Sequence, residues 1–162
     1  MAKVEIKIKG REALQKKLNE KREKLISYLN VRLLQLAEDA VVYSKDNKGY
    51  KDRTGNLKNS ISFALYFNGQ LITSQEGQLP KPEAAEDGQQ DVSNALAEYA
   101  KKEGVVAPQG YSLVIVAGMR YGKYVEDNHG YNVLQLTKHY LRSEMKKIFE
   151  EIVETINSEG RL

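Results

Sequence analysis

The chain has 162 residues, of which 41% are hydrophobic and 29% are charged, and its formal net charge at pH 7 is +3. This length suits a single domain over residues 1–162 with a sizeable core. The absence of cysteine excludes a disulfide scaffold, thiol catalysis and cysteine-based zinc sites. No apolar run approaches the roughly 20 residues of a membrane-spanning helix, and the charged residues 1–7 are unlike a signal peptide. We therefore expect a soluble protein, made in a cytoplasm, without a membrane partner.

The small net charge conceals blocks of opposite sign. Residues 1–35 carry ten basic and four acidic side chains, and residues 45–58 carry five basic and two acidic ones. Residues 75–98 have six acidic side chains against one basic, and residues 150–162 have a balance of −3. Such blocks allow complementary contacts between copies of the chain or with a charged partner. They are equally compatible with a solvated surface whose sign merely varies along the chain.

The first predicted elements are a short strand and a long helix. Residues 3–9 alternate between charged and apolar side chains, which predicts a strand with one apolar face. Gly10 ends it. From residue 11 to about residue 44, apolar side chains recur at spacings of mostly three or four, which predicts a helix long enough to cover a sheet or a partner subunit. Its apolar stripe consists of Leu14, Leu18, Leu25, Leu29, Leu33, Leu36 and Ala40, interrupted only by Arg22.

A β-hairpin is predicted in the middle of the chain. Residues 61–67 alternate, with Ile61 and Phe63 on one face and Ser62 on the other. The dipeptide Asn68-Gly69 that follows favours a type I′ turn, because this turn requires positive φ at both central residues. We expect the returning strand at residues 70–74.

Residues 75–108 differ in composition from the rest of the chain. All three prolines and the acidic cluster lie here, which indicates an insertion between two strands, partly mobile around residues 75–90. Within the insertion, residues 91–102 have the spacing of a short helix, with Asp91 as a possible N-cap.

A strand and a second long helix follow. Residues 113–117 form a continuous apolar run that predicts a strand buried on both faces, and residues 118–130 predict a loop or a single helical turn. Because no βαβ alternation occurs, we predict an α+β fold: a small, mostly antiparallel sheet packed by two long amphipathic helices. The last helix, ended by Gly160, is predicted to pack through Leu134, Thr137, Leu141, Met145, Ile148, Ile152 and Ile156.

Signals for catalysis, a cofactor or a metal are absent from the sequence. His129 and His139 are ten residues apart, and no cysteine accompanies them. Neither a nucleophile turn nor a phosphate-binding glycine loop is found. The adjacent acids Glu126 and Asp127 leave a small hydrolase as a third alternative, but neighbouring side chains point apart in a helix or a strand. We predict no catalytic, cofactor-binding or metal-binding residue.

A basic nucleic-acid-binding module is the main alternative function. The basic residues 1–35 and 45–58 could contact phosphate groups. However, Glu12, Glu20 and Glu23 alternate with the helical lysines, which is typical of an exposed face with internal ion pairs. The pattern indicates loose contacts to a nucleic-acid backbone at most, without readout of base sequence.

Two segments resemble a family of tailed-phage proteins. Residues 52–61, Asp-Arg-Thr-Gly-Asn-Leu-Lys-Asn-Ser-Ile, are similar to the Arg-Thr-Gly-x-Leu-x-x-Ser-Ile signature of tail-completion, or head–tail joining, proteins of siphophages and prophages. Residues 117–126, Ala-Gly-Met-Arg-Tyr-Gly-Lys-Tyr-Val-Glu, resemble the family's Gly and Tyr-Ala-x-Tyr-Val-Glu segment after a strand. The order of helices, hairpin and strand is similar too, except in residues 75–108. Residues 127–130 depart from the family, which usually has a small Gly-Thr-type turn there.

The resemblance implies that the motif residues hold the fold and its interfaces. Thr54 would cap a short helix, Gly55 would allow a sharp turn, and Leu57 would enter the core. Two tyrosines three residues apart would share a face of a helical turn. The motif residues are Arg53, Thr54, Gly55, Leu57, Ser60, Ile61, Tyr121, Tyr124, Val125 and Glu126.

The resemblance also implies a function and partners. The chain would be a virion structural protein of the neck, assembled in the cytoplasm of a bacterial host, without a cofactor. It would form a homo-oligomeric ring, expected to be a hexamer, that completes the tail and joins it to the head connector or adaptor and to tail tube or terminator proteins. DNA would pass through the lumen without being read. One further hypothesis is that Glu83, Glu86 and Asp87 meet the basic residues 1–35 of a neighbouring copy.

Overall fold

The computed structural model describes residues 10–47, 49, 55–77, 96–102, 104–119, 122–127 and 131–159. The elements are helices α1 (Arg11–Asp46) and α2 (Asn56–Asn59), strands β1 (Ile61–Phe67), β2 (Gln70–Gln75) and β3 (Tyr111–Ala117), and helices α3 (Gly122–Asp127) and α4 (Val133–Glu159). The predicted α+β class, a small antiparallel sheet packed by helices, is confirmed. The chain forms two compact units that divide within α1, after Leu33.

Several predicted features lie outside the described residues. They include the strand at residues 3–9, the acidic side chains Glu83, Glu86 and Asp87 of the insertion, the possible N-cap Asp91, and the end of the last helix at Gly160. These features remain predictions, as does the organisation of residues 1–162 as a single domain.

In the first unit, the described residues form the N-terminal part of α1. Residues 10–24 are all exposed, including Leu14 and Leu18 of the predicted apolar stripe. None of the described residues covers these two leucines, and cover by a partner subunit remains a prediction. Their exposure leaves an apolar surface on a charged helix.

The second unit is built around the sheet. Its strand order is β2-β1-β3, and β1 pairs with both neighbours in antiparallel fashion. Asn68 and Gly69 connect β1 to β2 with φ values of 49° and 78°, and Phe67 pairs with Gln70 across the turn. The predicted hairpin is confirmed, because positive φ at both central residues is the requirement of a type I′ turn.

Strand β1 is packed on both of its faces. On one face, Ile61 and Phe63 contact Ala37 and Val41 of α1. On the other face, Ala64 packs with a cluster that consists of Leu96, Val114 and the partly buried Tyr66, Val105, Val106 and Val116. Part of the predicted insertion therefore covers the sheet, and residues 96–100 are helical as the sequence predicts.

The prediction that residues 113–117 are buried on both faces is wrong. In β3 only Val114 is fully buried, and the other residues of the strand are half-buried. The physical reason is the strand order: among the three strands of the described residues, β3 lies at an edge of the sheet and β1 occupies the centre. The five consecutive buried residues belong to β1, from Ile61 to Leu65.

Helix α4 packs against the C-terminal part of α1. The hydroxyl oxygens of Ser44 and Thr137 lie 2.7 Å apart in a buried contact, and the rings of Tyr43 and Tyr140 stack at 4.5 Å. Burial, with a smaller contribution from Asp39 among others, raises the pKa of the Tyr140 hydroxyl. The polar pair explains why a threonine stands in the apolar stripe of the last helix.

The predicted stripe of α4 is correct except at its end. Thr137, Ile148 and Ile152 are buried, whereas Ile156 is exposed. Val133, which the predicted stripe omits, is buried in the first turn of the helix. Within the described residues, no helix combines the length and the apolar character needed to cross a membrane.

Replacing Phe63 tests the packing of β1 against α1. Phe63 is 1% exposed, so Phe63→Ala should lower the free energy of unfolding by about 3–5 kcal/mol through lost burial and a cavity. Ile72→Ala, on the exposed strand β2, should change it by less than about 0.5 kcal/mol. Urea unfolding measures both, and equal losses would contradict the assigned core.

Candidate functional site: the motif junction

The two segments that carry the family resemblance meet in the second unit. The N–H of Gly118 donates to the carbonyl oxygen of Ser60 at 3.1 Å, and a Cβ built on Gly122 would lie 3.3 Å from Cδ1 of Leu57. A small cavity of about 20 Å³ lies between them, lined by Leu57, Ile61, Ala117, Gly122, Glu126, Val133 and Leu134. We call this region, formed by α2, the ends of β1 and β3, α3 and the start of α4, the motif junction.

The first segment forms a tight helical turn before the central strand. Gly55 is the N-cap of α2 with φ of 77°, a left-handed conformation that glycine adopts without the steric cost of a Cβ. The N-cap position belongs to Gly55, which makes no side-chain cap hydrogen bond, and the capping role of Thr54 remains a prediction. Thr54 itself and Arg53 lie outside the described residues.

Leu57, Ser60 and Ile61 of the first segment are buried. The Ser60 hydroxyl donates to the carbonyl oxygen of Leu57 at 2.8 Å, and its main-chain carbonyl accepts the hydrogen bond from Gly118. A serine suits this position because its short polar side chain can satisfy a carbonyl at the end of a helical turn without leaving the core. Through these two hydrogen bonds, Ser60 links the end of α2 and the start of β1 to the end of β3.

Two further residues complete the junction, and the sequence motif includes neither of them. The hydroxyl of Ser62 donates to the carbonyl oxygen of Ser60 at 3.2 Å and accepts from the N–H of Gly77 at 2.8 Å. A Cβ on Gly77 would lie 2.4 Å from the carbonyl oxygen of Asn59. Only glycine therefore allows the chain after β2 to approach the first segment this closely.

Glu126 of the second segment accepts a hydrogen bond from the first turn of α4. Its Oε1 accepts the N–H of Gln135 at 3.0 Å. Gln135 is the third residue of α4, and the N–H groups of a first helical turn have no acceptor within the helix. A carboxylate at this end also interacts favourably with the helix dipole. This contact gives Glu126 a structural role, and the neighbouring Asp127 is exposed.

The tyrosines of the second segment are described only in part. Tyr124 lies in α3 and is 64% exposed, so the helical turn predicted within residues 118–130 is confirmed and its tyrosine faces solvent. Tyr121 and the side chain of Val125 lie outside the described residues, and the shared face of the two tyrosines remains a prediction. The motif junction thus contains buried residues, such as Leu57 and Ile61, and one exposed aromatic residue, Tyr124.

The described groups give no indication of bond-making chemistry. No cluster of three or more histidine, aspartate or glutamate side chains is placed to hold a metal among the described residues. His139 is exposed on α4, and His129 lies outside the described residues. The hydrogen bonds of the junction join main-chain groups to one another, to short hydroxyls and to one carboxylate, and they satisfy the polar groups of this packed region.

Comparison of the chain with protein-family models, with curated proteins and with solved structures gives no match. The resemblance to tail-completion proteins therefore stands on the motif residues alone and remains a prediction.

Exchanging the two glycines of the junction for alanine should have opposite effects. Gly122→Ala should raise the free energy of unfolding by about 0.5 kcal/mol, because alanine restricts the unfolded chain and favours α3. Its methyl group would meet the end of a leucine side chain beside the small cavity, where that side chain can shift. Gly77→Ala should lower stability by about 1–3 kcal/mol through overpacking against main chain. Thermal unfolding of both variants is the measurement, and a stabilising Gly77→Ala would contradict the described approach.

Removing the carboxylate of Glu126 should weaken the start of α4. Glu126→Ala should cost about 1 kcal/mol of unfolding free energy, and Glu126→Gln less, since the amide retains an acceptor. Asp127→Ala is the matched control and should have little effect. Urea unfolding distinguishes them, and an equal loss in the Asp127 variant would show that the contact with Gln135 is unimportant.

Proposed function

We propose that this chain is a structural protein of a tailed-phage particle. Copies of it form a ring, expected to be a hexamer, that completes the tail and joins it to the head connector. The observation that carries the proposal is the motif junction: the two segments that resemble the family motif are distant in sequence and pack against each other through Leu57, Ser60, Gly118 and Gly122. A chance likeness of two short segments would not require this contact.

The use of the motif residues supports a role in assembly. Leu57, Ser60 and Ile61 are buried, and Glu126 binds the start of α4. These groups stabilise the fold and leave no set of convergent reactive side chains among the described residues of the junction. Tyr124 projects from the same region into solvent, and an exposed tyrosine on a rigid support is a favourable interface residue, because it buries a large area with little loss of side-chain freedom.

The partners follow from the position of such a ring. One face would contact the head connector or adaptor, and the other would contact the tail tube or the terminator protein. DNA would pass through the lumen, and its contacts with lysine and arginine side chains would be weak and dependent on salt. Sequence-specific recognition is not part of the proposal.

Deleting the gene for the chain in the phage or prophage that carries it tests the function. We expect filled heads and separate tails that do not join, and the wild-type chain supplied from a plasmid should restore complete particles. Electron microscopy and plaque counts measure the outcome. Complete, infectious particles without the chain would overturn the proposal.

A matched pair of surface variants sharpens this test. Tyr124→Ala should reduce the joining of heads to tails while the free energy of unfolding of the purified protein changes by no more than about 0.5 kcal/mol, because most of the side chain is exposed. Lys123→Ala, at the neighbouring exposed position of α3, is the control and should restore joining fully in the deletion strain.

A DNA-binding measurement on the purified monomer tests the alternative function. Tight binding of duplex DNA, with an affinity that falls steeply as the salt concentration rises, would favour the nucleic-acid-binding module.

A further inference from the structure

The exposed part of α1 has an ordered distribution of side chains. Leu14 is 61% and Leu18 58% exposed. With 3.6 residues per turn, these two leucines lie on one line along the helix with Leu25 and Leu29, which are half-buried. A helix whose apolar line faces water gains no packing energy from it, and helical stability in proteins comes mostly from such packing. The line is therefore suited to being covered.

The charges around this line are of one sign. Counting about 100° per residue, Lys17, Lys21 and Lys24 lie on one side of the leucines, and Arg11 and Arg22 lie on the other. All five fall within about 80° of the line. The acidic residues Glu12, Glu20 and Glu23 fall on the far side of the helix, together with Lys16. The net charge of the whole segment hides this separation. We call the leucine line with its basic flanks the α1 surface.

Helix α4 has a second apolar line that the core does not use. Phe149 is 49%, Val153 55% and Ile156 53% exposed, and their spacing of four and three residues places them on one face. This face is turned by about 100° from that of the buried Ile148 and Ile152. A helix that needs only one apolar face to pack within its own chain has here a second one.

The charges on this part of α4 have the opposite sign. Residues 148–159 contain the acidic side chains Glu150, Glu151, Glu154 and Glu159 and no lysine or arginine. Glu150 lies about 60° from the edge of the exposed apolar line and Glu154 about 100° from it, both on the same side. Glu150 makes a solvent-exposed ion pair with Lys146 at 3.7 Å, which is weak and easily exchanged. We call the line with these acids the α4 surface.

We propose that the α1 surface of one copy binds the α4 surface of a second copy. The leucines of α1 would pack against Phe149, Val153 and Ile156, and the flanking lysines would face Glu150 and Glu154. Apolar burial supplies the affinity of such a contact, and the charges select the partner and the register. The proposal rests on the self-assembly in the proposed function and names the surfaces that carry it.

The contact is between two different surfaces, and this has a consequence for assembly. Each copy then presents one donor and one acceptor surface, and head-to-tail repetition of such a contact closes into a ring when the rotation between copies allows. A phosphate-bearing partner would use the basic α1 surface only and would leave the α4 surface without an occupant. Two complementary surfaces on one chain favour a second copy.

Charge exchange between the two surfaces tests the proposal. The double variant Lys17→Glu/Lys21→Glu and the double variant Glu150→Lys/Glu154→Lys should each weaken self-association by about tenfold or more at low salt, because like charges then face each other. Combining all four substitutions in one chain should restore association. Sedimentation velocity and native mass spectrometry give the oligomeric state, and circular dichroism checks that the helices are retained.

The control variant is Glu20→Lys/Glu23→Lys, which makes the same charge change as the double variant of α4, but on the far side of α1, and should leave association unchanged. Restoration in the fourfold variant supports the contact. A ring that persists in both double variants would overturn this contact and leave the proposed ring intact. A wild-type chain that stays monomeric at all concentrations would also overturn it, and the gene-deletion experiment then decides the proposed function separately.

Discussion

The burial of β1 on both faces is the constraint on which the second unit depends. A central strand whose five successive residues are buried needs cover from two layers, because an exposed apolar face costs free energy in proportion to its area. The C-terminal part of α1 supplies one layer through Ala37 and Val41. Leu96 and residues 105–106 supply the other. The region that looks like an insertion by composition is thus partly a structural element.

The motif junction follows from the same strand. The carbonyl of Ser60, just before β1, binds the N–H of Gly118, just after β3, so the antiparallel pairing of the two strands brings the two motif segments together. The turn at Gly55 sets where the strand begins, and the helix that starts at Gly122 packs against that turn. Glu126 then fixes the start of α4 through Gln135. The motif residues, although far apart in sequence, therefore act on the ends of one pair of strands.

Local chemistry made the helices and the hairpin predictable. The type I′ turn at Asn68-Gly69 depends on two adjacent residues, and the long helices depend on a period that repeats many times. The burial of each strand is harder to predict from the sequence, because the apolar run in β3 and the alternation in β1 do not reveal which strand is central. The roles of Ser62 and Gly77 were missed, since their hydrogen bond joins residues 15 apart and exists only in the final register. A glycine just after the returning strand was the one signal that could have indicated a close approach.

The charge blocks take on a more specific meaning when they are placed on helices. The N-terminal block has a positive balance, but on α1 the acids of residues 11–24 lie on one side of the helix, and all the bases except Lys16 lie around the leucine line. The C-terminal acidic block lies beside an apolar line of α4 that the core leaves exposed. A net charge of +3 measures neither feature, because it sums over faces that would meet different neighbours. Charges on one face of a helix select which partner can bind to that face. The apolar line beside them determines whether the binding is favourable, because it supplies the buried area.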